Sequence, residues 1–67
     1  MFTLEEQIAE VRREMLLRKA CYPAWVKHGK LTQAEASRQL ELMGEVLKTL
    51  RRLDLEQRQM SLFTHVP

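Results

Sequence analysis

Residues 22–35 read Tyr22-Pro23-Ala24-Trp25-Val26-Lys27-His28-Gly29-Lys30-Leu31-Thr32-Gln33-Ala34-Glu35, and this stretch decides the fold. Pro23 disfavours helical geometry in the residue before it, so a helix arriving from upstream is expected to stop at Cys21 or Tyr22. Pro23 also suits the opening of a new turn. Pro23 to His28 then reads as one short turn, closed by Gly29 in a left-handed conformation. Thr32 and Glu35 have the spacing of a capping box, and Leu31 is an apolar residue just before the cap. A second helix is therefore expected from Gln33.

Working upstream, Thr3 and Glu6 form another capping-box pair, so the first helix should begin near Leu4. Leu4, Ile8, Val11 and Met15 follow at spacings of 4, 3 and 4 and draw one apolar stripe. Its continuation meets Arg18 and Tyr22. Glu14 to Arg18 is a well-oriented i,i+4 pair, and an arginine on the seam calls for an anion, either Glu14 or a bound phosphate. Downstream, Ala36, Leu40, Met43, Leu47 and Leu50 repeat the stripe at spacings of 4, 3, 4 and 3, widened by Val46 and Leu53. Gly44 on this helix permits close approach of a neighbour. The expectation is an all-α antiparallel helical hairpin over residues 1–58, with helices at 4–21 and 33–58, an elbow at 22–32 and a C-terminal tail at 59–67.

Composition narrows the class. The 67 residues are 45% hydrophobic and 30% charged, with two Gly, two Pro and one Cys, which excludes collagen-like, low-complexity and disulfide-stapled chains. No apolar run approaches the ~20 residues that cross a bilayer. Met1 to Glu6 lacks the basic flank and apolar stretch of a secretory signal, so a reducing cytoplasm is the expected setting. There is no Gly-rich phosphate loop, no metal-ligand spacing around Cys21, His28 or His65, and no supported nucleophile–base pair. The reading is a binding protein without catalytic residues, metal or cofactor. Cys21 reads as a small buried apolar residue, and the four methionines as core fillers.

A chain this short rarely stabilises itself with one core, so self-association is expected. If residues near 20 and 33 face each other, the first helix begins opposite Leu50. Leu53 and Leu55 then overhang. Leu47, Leu50, Leu53 and Leu55 are the expected interface of a dimeric four-helix bundle.

Charge is unevenly distributed. Residues 1–10 carry Glu5, Glu6 and Glu10 for a net −3, whereas residues 12–30 carry six cations against Glu14 for +5, within a global +2. Arg18, Tyr22, Trp25, Lys27 and Lys30 crowd the elbow with His28, and aromatic faces among cations suit a nucleotide or short oligonucleotide. The competing reading has Tyr22 and Trp25 plugging the end of the hairpin while the cations stay solvated. Duplex DNA fits poorly, because both helices spend their apolar stripes on each other and the second carries mixed charge.

The run from Arg18 to Leu31, with Tyr22-Pro23-x-Trp25-Val26-x-x-Gly29-Lys30-Leu31 and a following helix holding Met43, Val46, Thr49 and Leu50, resembles small proteins of tailed bacteriophages and prophages. The resemblance covers about residues 4–53 and brings no site residues. It implies a viral origin, a host cytoplasm and a class rich in host-takeover and anti-defence factors.

Beyond Arg58 the helical pattern lapses, and Gln59-Met60-Ser61-Leu62-Phe63 resembles the bacterial sliding-clamp-binding motif, Gln-Leu-Ser/Asp-Leu-Phe, with Met60 in the second place. In that resemblance Gln59 hydrogen-bonds at the mouth of a cleft that Leu62 and Phe63 fill, and a mobile tail orders on contact. The alternative is that Leu62 and Phe63 fold back over Leu53 and Leu55. Three functions are thereby expected of the sequence. The first is a dimer docking its tails on the host DNA sliding clamp as adaptor or inhibitor. The second sequesters a nucleotide signal at the elbow. The third inhibits a host protein through an apolar helix face.

Overall fold

A computed structural model describes residues 1–64, and side chains as far as Met60. It contains two helices, α1 (Leu4–Lys27) and α2 (Gln33–Thr64), packed on each other as an antiparallel hairpin. Neither is long and apolar enough to cross a membrane.

The caps form where the sequence places them. The Thr3 hydroxyl accepts from the Glu6 backbone N–H at 3.1 Å and donates to the Glu6 carboxylate, and the Thr3 carbonyl accepts from the Gln7 N–H. Thr32 repeats the arrangement with Glu35 at 3.0 Å and with the Ala36 N–H at 2.9 Å. Each threonine thus satisfies donors that a helix start leaves without partners. At the other end of α1, Lys30 N–H donates to the Trp25 carbonyl and Gly29 N–H to the Val26 carbonyl. These two bonds are a Schellman ending, with Gly29 supplying the left-handed backbone at φ +74° that it requires.

Pro23 does not end the helix. α1 runs through it for another turn, to Lys27, so the connection is only His28 to Thr32. A proline inside a helix forfeits one backbone bond and crowds the preceding turn, a cost of ~3 kcal/mol. Tertiary packing offsets that cost. Tyr22, immediately before Pro23, is buried against α2, and Val26 beyond it is half-buried on the same seam. Local propensity is overruled by the burial of the Tyr22 ring.

The longer α1 resets the pairing of the helices. Tyr22 lies across from Gln39, and Glu5 lies across from Arg58, where Arg58 Nη2 donates to Glu5 Oε1 at 2.9 Å. The start of α1 therefore faces Asp54 and Arg58, not Leu50. Leu47 and Leu50 are half-buried within the hairpin itself, on the seam with α1. Leu53 and Leu55 are exposed for a different reason from overhang. They flank Asp54, which faces the seam, and residues next to a seam position are rotated ~100° away from it in opposite senses. Helical structure also continues past Arg58 to Thr64, so the segment expected as an irregular tail extends α2; the side chains of Leu62 and Phe63, and hence the expected fold-back, lie outside the described residues.

The interior is thin. The seam is Leu4, Ile8, Val11, Met15, Tyr22 and Val26 against Ala36, Leu40, Met43, Leu47 and Leu50, yet only Tyr22 and Ala36 are buried. Met15 and Met43 fill this seam as expected, whereas Met1 and Met60 lie exposed. Gly44 admits no close neighbour, since a Cβ there would meet nothing within 4 Å. The molecule measures 60 × 18 × 16 Å, with a radius of gyration of 16.6 Å against about 11 Å for a compact chain of its length. Its accessible surface is 5769 Å², where a globular monomer of 8.0 kDa would expose about 4,450 Å².

Candidate binding surfaces

The elbow residues divide into two groups. Arg18 Nε donates to Glu14 Oε1 at 2.9 Å one turn below, so its anion is Glu14. The Glu14 hydrogen bond raises the Arg18 pKa above its ordinary value, with partial burial opposing and the nearby Tyr22 hydroxyl assisting. Tyr22 is 4% exposed, and its hydroxyl donates to Gln39 Oε1 at 2.7 Å across the hairpin. Glu14, Arg18, Tyr22 and Gln39 thus form a polar chain that ties α1 to α2, and the buried Tyr22 ring offers no face to a ligand. The aromatic ring reads as a plug.

Trp25, Lys27 and Lys30 are the exposed remainder. Trp25 leans on Tyr22, with ring centroids 5.6 Å apart at 39°, and keeps 43% of its surface exposed. Lys27 and Lys30 have no ion-pair partner among the described residues. Two positions along a helix is a rotation of ~200°, so Trp25 and Lys27 point to opposite sides of the hairpin and do not converge on one ligand. His28 is the exposed C-cap of α1, and Cys21 is exposed rather than buried, because it lies one position off the seam. No group of three His, Cys, Asp or Glu side chains gathers among the described residues.

The two broad sides of the hairpin differ in chemistry. One carries Leu17, Cys21 and Trp25 at four-residue intervals on α1, beside Leu42, Val46 and Leu53 on α2. Leu42, Val46, Leu53 and Cys21 lie about a quarter-turn off the seam, with Trp25 nearer to it and Leu17 farther round, and in an antiparallel pair that rotation carries both sets to the same side. Exposures of 48% at Leu17, 54% at Leu42 and 41% at Val46 and Leu53 leave this side unpartnered. Toward the open end it continues into a shallow groove of about 790 Å³, where Phe2, Gln7, Glu10 and Val11 meet Val46 and Leu50. The Arg13 guanidinium holds the Glu10 carboxyl below its usual pKa by a hydrogen bond and by charge, so the rim of the groove is an ion pair.

The opposite side mixes charge with two exposed leucines, Leu16 at 69% and Leu55 at 58%. Arg12 and Arg51 come together there with Glu5, Ile8, Asp54 and Arg58. Arg58 is held by Glu5 and, at 3.2 Å, by Asp54, which leaves Arg12 and Arg51 without ion-pair partners among the described residues. Sequence reading assigned Val46 and Leu53 to a widened core stripe and passed over Leu17 and Leu42. The available signal was a second stripe, Leu42, Val46, Leu53 and Met60, spaced 4, 7 and 7 and displaced a quarter-turn from the first. No protein-family model, curated protein or solved structure matches the chain.

Proposed function

We propose that the chain is a non-enzymatic interaction protein, a helical hairpin that works by burying its apolar side on another polypeptide. One observation carries the reading. Leu17, Trp25, Leu42, Val46 and Leu53 are each more than 40% exposed on one side of a molecule whose interior, among the described residues, buries only Tyr22 and Ala36. Contiguous apolar surface on that scale is the mark of an interaction site. A nucleotide stacked on Tyr22 at the elbow loses support, because that ring is buried within the hairpin.

The test is affinity capture from a bacterial host with the full chain and its Leu17→Glu/Leu42→Glu variant. Any polypeptide retained, a second copy or a host protein, is expected to be lost with the variant. Equal retention by both proteins would move the working surface elsewhere.

Docking on the host sliding clamp through Gln59-Met60-Ser61-Leu62-Phe63 is the second reading. It is favoured by the position of that segment beyond Arg58, the last α2 residue that pairs with α1 among the described side chains. Uptake of the segment in extended form requires only the final turns of α2 to unwind, and terminal turns are the least costly to open. The full chain is expected to retain purified clamp and to lose it on Leu62→Ala and Phe63→Ala. Undiminished binding by both variants would eliminate this reading.

A further inference from the structure

We infer that the polypeptide covering the apolar side is a second copy of this chain, laid antiparallel along the first. This inference rests on the interaction reading above and adds the occupant and its direction.

Area supports a second copy. A stable interface removes about 800 Å² from each partner. Each hairpin exposes roughly 1,300 Å² more than a globular chain of its mass, so one such contact brings it most of the way to ordinary compactness.

Charge sets the direction. At the open end, residues 1–10 and 51–60 hold five acids against three arginines, a net −2. At the elbow end, residues 18–42 hold five cations against Glu35 and Glu41, a net +3. Two copies side by side in the same direction would stack +3 on +3 and −2 on −2. Reversing one copy sets each acidic end over a basic end.

Geometry makes the reversed pair self-complementary. In the observed register Val46 lies level with Leu17, at the middle of the apolar side, and Leu53 and Trp25 lie about equally far from it in opposite directions. A two-fold axis through that middle sets Trp25 of each copy near Leu53 of the other, as a closed two-fold contact requires. Cys21 is four helical positions from Leu17 at the axis, so the two Cys21 residues stand ~12 Å apart along the hairpin. In a same-direction pair they would lie level with each other.

Sedimentation of the full chain over a dilution series is expected to give twice the 8.0 kDa mass of the chain. Leu17→Glu/Leu42→Glu should raise the dissociation constant about a hundredfold or more, as charge placed in the centre of an interface does. Circular dichroism then reports whether the variant remains helical. The direction is read by cysteines, which bridge only when their Cα atoms come within ~7 Å. Mild oxidation of the wild type should give no Cys21-linked dimer, whereas Cys21→Ser/Val46→Cys should be joined efficiently by a short bis-maleimide. A wild type of single-chain mass at all concentrations overturns the second copy. If that single chain still loses a host partner on Leu17→Glu/Leu42→Glu, the interaction reading survives alone. A dimer readily joined through Cys21, or one indifferent to Leu17→Glu/Leu42→Glu, overturns the antiparallel placement.

Discussion

Tyr22→Ala is expected to unfold the hairpin. Among the described residues Tyr22 is the only large side chain that is buried, at 4% exposed, and its hydroxyl supplies the one hydrogen bond that joins the middle of α1 to α2. Truncating a buried aromatic residue to alanine costs ~3–5 kcal/mol, from lost burial and from the cavity left behind. A domain of this length commands a total of only ~3–10 kcal/mol. The loss therefore rivals the whole. Far-ultraviolet circular dichroism against urea, at one fixed protein concentration, should show the variant largely unfolded in buffer or with a sharply lowered midpoint. Tyr22→Phe keeps the ring and gives up the bond to Gln39, so its loss should be ~0.5–1.5 kcal/mol. A Tyr22→Ala protein with the wild-type midpoint would show that Tyr22 does not hold the helices together.

Pro23→Ala is expected to act in the opposite direction. α1 already runs through this position, so the substitution restores a backbone N–H within reach of the Lys19 carbonyl and removes the crowding of the ring. Pro23 also lines a small cleft with Tyr22, Val26 and Ala36, and part of the gain will be offset by lost contact there. A net stabilisation of ~1–3 kcal/mol remains. At ~4–8 °C per kcal/mol for a domain of this size, the rise in Tm should be readily measured. An unchanged or lowered Tm would mean that the helix geometry imposed by proline is what seats Tyr22 against α2.

Together these substitutions explain why Pro23 misleads a reader of the sequence. The rule that proline ends a helix is a statement about local free energy, and ~3 kcal/mol is decisive when nothing opposes it. Here the residue before the proline is the one the hairpin most needs to bury. The capping boxes at Thr3 and Thr32 and the left-handed Gly29 were legible because each is settled within six residues by backbone donors and acceptors. The all-helical hairpin was legible for a related reason. Two stripes with a 3- and 4-residue beat, joined by a glycine turn and a cap, have few other ways to bury themselves.

The candidate surface was less legible than the fold. The elbow is a cluster in sequence, yet its members separate in space. Arg18 turns to Glu14, Tyr22 inward to Gln39, Trp25 to the apolar side and Lys27 to the charged side. Proximity along a helix is not convergence, because successive side chains radiate at ~100° intervals. The surroundings of Leu47 and Leu50 were misjudged through register. Six more residues in α1 and a shorter connection bring Glu5 level with Arg58, and both leucines are then half-covered by α1.

The sequence by itself determined the helices, their starts, the turn between them and the polarity of charge from one end to the other. All of these follow from interactions within a few residues or from simple position along the chain. The tertiary structure decided where α1 ends, which α2 residues it covers, and which apolar side chains remain in water. Those outcomes turn on the burial of a single ring across the hairpin, a long-range contact that outweighs a local backbone preference and that no short stretch of sequence contains.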